Sequence, residues 1–335
     1  MNASIQAIEY HLPSNMLDNA MLASLFPDWP AAKIRAKTGI LERRIAGPNE
    51  CASDLAVAAA QKLFAQGACH QEEVDYVLLC TQSPDYPLPT TACLIQDRLG
   101  LPKTCGALDF NLGCSGYIYG LGLAKGLIET GQARRVLLLT TDTYSKYIHP
   151  GDRSVRSIFG DGAAATLVVG NVGPAAIGPF IYGTDGSGAA NLIVRAGGAR
   201  QRIASEAPAE MDANGNTRTA NDLYMNGPEI FSFTLRAVPE AVRALLNKAD
   251  KRQDEVDLWV FHQANEYMLE HLRKKLGISP DRFALAMEHS GNTVSASIPI
   301  ALSSLARDGK IVRGMLLGLV GFGVGYSWGA TLVRW

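Results

Sequence analysis

The stretch QEEVDYVLLC at residues 71–80 has a counterpart in QDEVDLWVFH at residues 253–262. Each copy runs from a polar turn into a short apolar run, the pattern of a buried strand. Matching features come after it in the same order. A helical pattern ends in RLGL at 98–101 and in KLGI at 275–278. A stretch of small residues comes next, GCSG at 113–116 and GNTV at 291–294. An amphipathic helix then closes near glycine, at ETGQ 129–132 and RDGK 307–310. A strand succeeds it, RVLLLTTD at 135–142 and GMLLGLV at 314–320, and both copies finish on F-G-x-G and a last strand, 159–169 and 322–333. The spacing drifts along the chain, as insertions would make it, so the order carries the argument. The period is too long for a solenoid. Alternating strands and helices predict two similar α/β halves with mostly parallel strands. The halves divide as 1–171 and 172–335, joined by the turn-rich GNVGPAAIG at 170–178. Residues 183–225, rich in Gly, Ala, Asn and Asp, read as an excursion from the second half, either over a site or as a plain surface loop.

The chain of 335 residues supports that division, since about 150 residues per domain is the usual scale. Hydrophobic residues make up 47% and charged residues 19%, enough apolar material for a core and too much for a disordered chain. A net charge of −1 argues against nucleic acid as a partner, which needs a basic surface. Residues 315–333 carry no charge and could span a bilayer on length alone. Five glycines within them make two buried strands joined by a turn the better reading, with no membrane span. The N-terminal MNASIQAIEYHLPS has no basic segment followed by an apolar one and does not read as a signal peptide. The six cysteines form no CxxC pair and no zinc spacing with histidine, which points to a reduced, cytoplasmic protein without a metal. Cys69, Cys80, Cys93 and Cys105 read as inert core residues.

Superposing the repeats puts Gly113-Cys114 on Gly291-Asn292, each before an equivalent helix. His262 stands at the end of a strand, where α/β folds place functional groups. A pseudo-two-fold packing would bring Cys114, His262 and Asn292 into one pocket. A thiol at a helix start is expected to titrate low, as a nucleophile should. His262 and Asn292 could both donate to one carbonyl oxygen, an oxyanion hole for an enolate. A second hole could combine the Cys114 N–H with that of the turn near Val324.

At this point the motifs resemble a known family. DFNLGCSGYIYGL at 109–121, FHQAN at 261–265, HSGNT at 289–293 and GFGVGYSWGATLVRW at 321–335 are similar to the thiolase superfamily, in its 3-oxoacyl-[acyl-carrier-protein] synthase III branch. KTGILERRIAGPNE at 37–50 and SIFGDGAAATLV at 157–168 match the same branch. The resemblance implies a five-layered αβαβα thiolase-like fold, two duplicated α/β halves and a homodimer. It implies that Cys114 takes an acyl group from acyl-CoA. Decarboxylation of a malonyl thioester on acyl carrier protein or CoA would then give an enolate, held by His262 and Asn292, that attacks the acyl-cysteine in a Claisen condensation. CoA and phosphopantetheine act as carriers, and no cofactor is implied. Substrate contacts fall on Lys37, Arg153, Leu88, Gly227, Gly323 and Val324. Leu88 lies where the family lines its acyl pocket, often across the dimer interface.

The chain also departs from the family pattern. The register puts Lys33 where many members stack a tryptophan on adenine, and Tyr267 where a basic residue docks the carrier protein. Arg273, Lys274 and Lys275 retain basic character downstream, on what could equally be a solvated helix face. Val324 replaces a glycine of the last turn. These changes imply a divergent, specialised member. The alternative on the same scaffold is transfer of the acyl group from Cys114 to a hydroxyl or amine, and a non-catalytic scaffold is a third reading. An α/β-hydrolase elbow is excluded by Leu112, where glycine would be needed.

Overall fold

A computed structural model of the chain describes residues 1–174, 176–203 and 206–335. Two sheets form its frame. The first contains β1 (Asn2–His11), β2 (Tyr76–Cys80), β3 (Gly106–Phe110), β4 (Arg135–Asp142) and β5 (Gly162–Asn171), in the order β1-β5-β4-β2-β3. The second contains β6 (Ile177–Thr184), β7 (Leu258–Phe261), β8 (Leu316–Gly323) and β9 (Ser327–Arg334), in the order β7-β8-β9-β6. Four strands of the first match the four of the second in topology. β1 pairs antiparallel with β5 as β6 does with β9, β4 with β5 as β8 with β9, and β2 runs parallel to β4 as β7 does to β8. The parallel pairing of β3 with β2 survives in the second half only as a bridge from Trp259 to Phe283.

The sheets are therefore mixed, which corrects the expectation of mostly parallel strands. In the second half the cause is local: only residues 324–326 join β8 to β9, and so short a link closes a hairpin and cannot make a parallel crossover. The uncharged 315–333 segment is this hairpin, and no described helix is long and apolar enough to cross a membrane.

The duplication extends to the helices. α1 (Ala52–Ala65), α2 (Thr91–Arg98) and α3 (Gly116–Glu129) correspond to α4 (Gly227–Ala249), α5 (Glu266–Leu276) and α6 (Ser297–Arg307). α1 and α2 cover the outside of the first sheet, α4 the outside of the second, and α5 packs on α4. α3 and α6 lie between the sheets and touch both, giving five layers, αβαβα. The central layer explains the composition of α3, GYIYGLGLAKGLIE, which is apolar on nearly every side. Gly120 fits there because a Cβ would lie 2.6 Å from Leu138. The strands are equally dry. Leu137, Leu138 and Leu139 of β4 are fully buried, each contributing roughly 1.5–3 kcal/mol over exposure.

Of the joint read at 170–178, Ala175 lies outside the described residues, as do residues 204 and 205 of the excursion. β6 runs to Thr184, into the start of that excursion. The rest of the excursion carries two short antiparallel pairs, Leu192–Val194 with Leu223–Met225 and Glu210–Met211 with Thr217–Arg218. Among the cysteines read as core, Cys93 is exposed.

Candidate active site

Cys114 lies in the turn between β3 and α3, 5% exposed. The turn is closed by Gly116 N–H donating to Gly113 O at 2.8 Å. The end of β8 presses against it from the other half. A Cβ on Gly321 would stand 2.8 Å from Cys114 O, and one on Gly323 would stand 2.8 Å from the Cys114 Sγ. Both glycines are thus required by close approach, which only a missing side chain permits. The hydroxyls of Ser115 and Ser327, 2.6 Å apart, fasten α3 to β9.

Asn292 is held by main chain from the first half. Its N–H donates to Ile158 O at 2.9 Å, and Gly160 N–H donates to Asn292 O at 3.0 Å. Its side-chain Oδ1 accepts from Val294 N–H at 2.9 Å, with Val294 at φ 52°. The acceptor end of the amide is therefore occupied, and its NH2 end makes no hydrogen bond to a described residue. Arg43 lies beneath this contact, fully buried, its Nε donating to Ser157 O at 2.8 Å. Burial pulls its pKa down to about 10, so it stays a cation in the physiological range.

His262 follows β7, its N–H bonded to Val320 O of β8 at 2.8 Å. Its Nδ1 is 2.7 Å from Ser297 Oγ at the start of α6, and Gln263 N–H reaches the same oxygen at 3.3 Å. A hydroxyl that accepts from Gln263 has its proton available for Nδ1. In the tautomer where this hydroxyl donates to Nδ1, Nε2 carries the ring proton and can donate into the cavity. Burial lowers the His262 pKa to about 3, against a smaller opposing effect of the Val294 backbone, so the ring is neutral.

Cys114, His262 and Asn292 all line one cavity of about 340 Å³, together with Phe322 and Gly323. The sequence expectation of a low thiol pKa is corrected. Burial, with Asp142 second, pushes the Cys114 thiol up to about 12, while the N–H groups of Val324 and Cys114 pull it down. Desolvation of a charge inside the cavity outweighs the helix start. Those two N–H groups therefore lie near the sulfur. Asp142, also fully buried and pushed up to about 7 chiefly by burial, accepts from Gln82 N–H at 2.8 Å and from Ser295 N–H and Oγ–H.

The other candidate residues separate into groups. Gly227 shares the cavity with the three residues, while Val324 lines a neighbouring cavity and Leu88 lines neither. Leu88 is 82% exposed on the surface of the single chain. Lys37 and Arg153 meet elsewhere, over the Trp29 ring at 5.3 and 5.5 Å from its centroid, with Lys33 at 5.6 Å. A tryptophan thus stands four residues before Lys33, in the loop that leads into the helix Ala31–Thr38. Tyr267, 55% exposed, packs with Phe231 and His271 at the cavity mouth. Arg273 is engaged by Glu270 at 2.8 Å and by Ile278 O, and Lys274 reaches the same carboxylate at 3.9 Å, while Lys274 and Lys275 are both exposed.

A buried thiol, a neutral imidazole and an amide lining the same cavity, with two backbone N–H groups near the sulfur, suit acyl transfer through a thioester and stabilisation of oxyanions.

Comparison with known proteins agrees. Residues 108–186 match the 3-oxoacyl-[acyl-carrier-protein] synthase III family and residues 246–335 match its C-terminal part. The beta-ketoacyl-[acyl-carrier-protein] synthase III of Caldanaerobacter subterraneus is 35% identical over 99% of this chain and 98% of its own. A 3-oxoacyl-(acyl-carrier-protein) synthase III crystal structure is 57% identical, covers 100% of both chains and superposes with a TM-score of 0.99. The 3-oxoacyl-(acyl-carrier protein) synthase of Burkholderia xenovorans LB400 is 39% identical over 99% of this chain and 94% of that one, with a TM-score of 0.92.

Proposed function

This chain belongs to the 3-oxoacyl-[acyl-carrier-protein] synthase III family, and on that premise we propose that Cys114, His262 and Asn292 carry out the condensation, with Cys114 as the acyl carrier. The observation that supports this most directly is their meeting in one cavity, with two backbone N–H groups near the thiol.

In the first half-reaction the Cys114 sulfur attacks the thioester carbonyl of an acyl-CoA. The tetrahedral oxyanion sits between the N–H groups of Cys114 and Val324, the S–CoA bond breaks, and the cysteine proton ends on the CoA thiol. Because the thiol rests protonated, sulfur attack and proton loss belong to one step. In the second, a malonyl thioester loses carbon dioxide. The enolate oxygen receives hydrogen bonds from His262 Nε2 and Asn292 Nδ2. The enolate carbon attacks the acyl-cysteine carbonyl, the C–S bond breaks, and the thiolate takes up one proton. A neutral imidazole suits this role, since it donates from Nε2 without carrying a charge into a dry site.

The overall class is acyltransferase, and the cycle draws on no bound metal or redox cofactor. Trp29, Lys37 and Arg153 offer a ring and cations to the adenine and phosphates of CoA, while Lys274 and Lys275 are cations for an acidic carrier protein. The reading includes a cytoplasmic homodimer in which the exposed Leu88 meets the partner.

Intact-protein mass spectrometry after incubation with acyl-CoAs, followed by a malonyl thioester chase, tests the proposal. A thioester adduct on Cys114 that malonyl clears as a 3-oxo product supports it. An adduct that malonyl cannot clear, but an alcohol or amine can, replaces condensation with acyl transfer.

A further inference from the structure

Beside the catalytic cavity lies a second one of about 520 Å³, lined among others by Gln82, Asn111, Tyr144, Tyr147, Leu192 and Val324. The two adjoin. Leu192 lines both, and Val324, whose N–H lies near the Cys114 sulfur, lines the second. An acyl group on Cys114 would therefore extend past Val324 into this chamber.

Its polar groups are fixed in place. Gln82 N–H donates to Asp142 at 2.8 Å and Gln82 O accepts from Tyr147 Oη at 3.3 Å, so the backbone is held on both sides. Tyr144, itself buried, donates its hydroxyl to Gln82 Oε1, and a Cβ on Gly113 would lie 2.5 Å from that oxygen. The carbonyl end of the amide is thus turned toward the nucleophile turn and occupied. The Nε2 end makes no hydrogen bond to a described residue. It is a donor, held by a tyrosine, in the chamber that the acyl chain would enter.

Resting on the functional reading above, we infer that this chamber selects an acyl group that carries an oxygen acceptor, a hydroxyl above all, for Gln82 Nε2. A saturated hydrocarbon acyl would strip water from that donor and return nothing. An oxygenated one replaces the lost hydrogen bond, and Tyr147 and Asn111 can serve the hydroxyl proton. Sites built to hydrogen-bond a substrate oxygen discriminate against analogues that lack it, because their own polar groups are left unpaired. Loading itself is unchanged: the thioester moves from CoA to Cys114 with the proton passing to CoA.

The test compares butanoyl-CoA with 3-hydroxybutanoyl-CoA and 4-hydroxybutanoyl-CoA, reading the rate of adduct formation on Cys114 by mass spectrometry. One hydroxylated donor should load about tenfold faster than butanoyl-CoA, the scale of one hydrogen bond. Gln82→Leu should invert that ratio. Tyr144→Phe, which keeps the amide but lets it turn, should weaken the preference without inverting it. Butanoyl loading at least as fast as both hydroxylated donors overturns the inference and leaves the condensing reading intact. So does a preference that survives Gln82→Leu. Failure of every acyl-CoA to label Cys114 overturns both.

Discussion

Two turns of this molecule hold equivalent places and are built in opposite ways. Gly113-Cys114 precedes α3 and Gly291-Asn292 precedes α6, and both helices run in the central layer between the sheets. Ser115 passes straight into α3 in helical conformation, and the cysteine side chain is left without an anchoring partner beyond two backbone N–H groups. After Asn292 the chain first makes a short 3-10 turn, Val294–Ala296, with Val294 at φ 52° and its N–H fixed to the asparagine oxygen. One turn presents a group free to change partners. The other presents a group fixed at one end so that its other end stays aimed. A nucleophile must form and break bonds, and an oxyanion donor must not reorganise. The duplication supplies two equivalent positions, and local backbone geometry distinguishes them in a way that suits the proposed roles.

The largest effect should come from the free turn. We predict that Cys114→Ala abolishes the acyl adduct and condensation together, since no other thiol lines the cavity. An adduct that persists in this variant would break the comparison at once. Asn292→Ala tests the anchored turn. Loading should continue while condensation falls by about 10²–10³-fold, the scale of a lost oxyanion donor. Single-turnover assays that separate loading from malonyl chase decide it. Loss of loading with condensation of preloaded enzyme intact would reverse the roles given to the two turns.

Gly323→Ala probes how closely the second half approaches the first. A methyl group 2.8 Å from the unmoved Sγ must displace the thiol or β8. Loading should slow by about 10²-fold, as misplacement of a reacting atom by about 1 Å does. A loading rate within a few-fold of wild type, in a variant that unfolds at the same temperature, would show that the turn has slack the comparison denies it.

Much of this frame was legible in the chain. The repeated QEEVD and QDEVD runs mark β2 and β7, and the glycine-rich 315–333 segment reads as a hairpin because glycine and a short turn exclude a spanning helix. Cys114, His262 and Asn292 could be placed in one pocket because repeat and motifs name the same residues. The features that could not be read depend on side chains from distant segments. The raised thiol pKa follows from burial and from Asp142, at the end of β4, neither of which a helix-start argument includes. Trp29 was missed because it lies in the loop before the helix Ala31–Thr38, where no periodicity marks its direction, although a tryptophan four residues from the expected place was the available signal. Ser297 and Gln82 matter through partners 35 and 62 residues away, His262 and Tyr144.

The smallest effect, and the most specific, should come from the residue that joins the two turns. Asp142 accepts from Ser295 in the anchored turn and is the second cause of the raised thiol pKa in the free one. Its own carboxyl is raised to about 7, chiefly by burial, so it is neutral below that pH and charged above it. Above pH 7 the charge opposes thiolate formation, and Asp142→Asn removes it. We predict that the pH profile of Cys114 alkylation in the variant moves to lower pH, with the gap from wild type opening as pH rises through 7. The same carboxyl bears on stability. Its folded pKa exceeds that of a free aspartate, so its contribution is complete below about pH 4 and is lost as pH rises through about 7. The wild-type melting temperature should therefore fall relative to the variant across that window. If the alkylation profiles coincide while the melting curves separate, Asp142 serves only to fasten the turns, and burial alone sets the thiol.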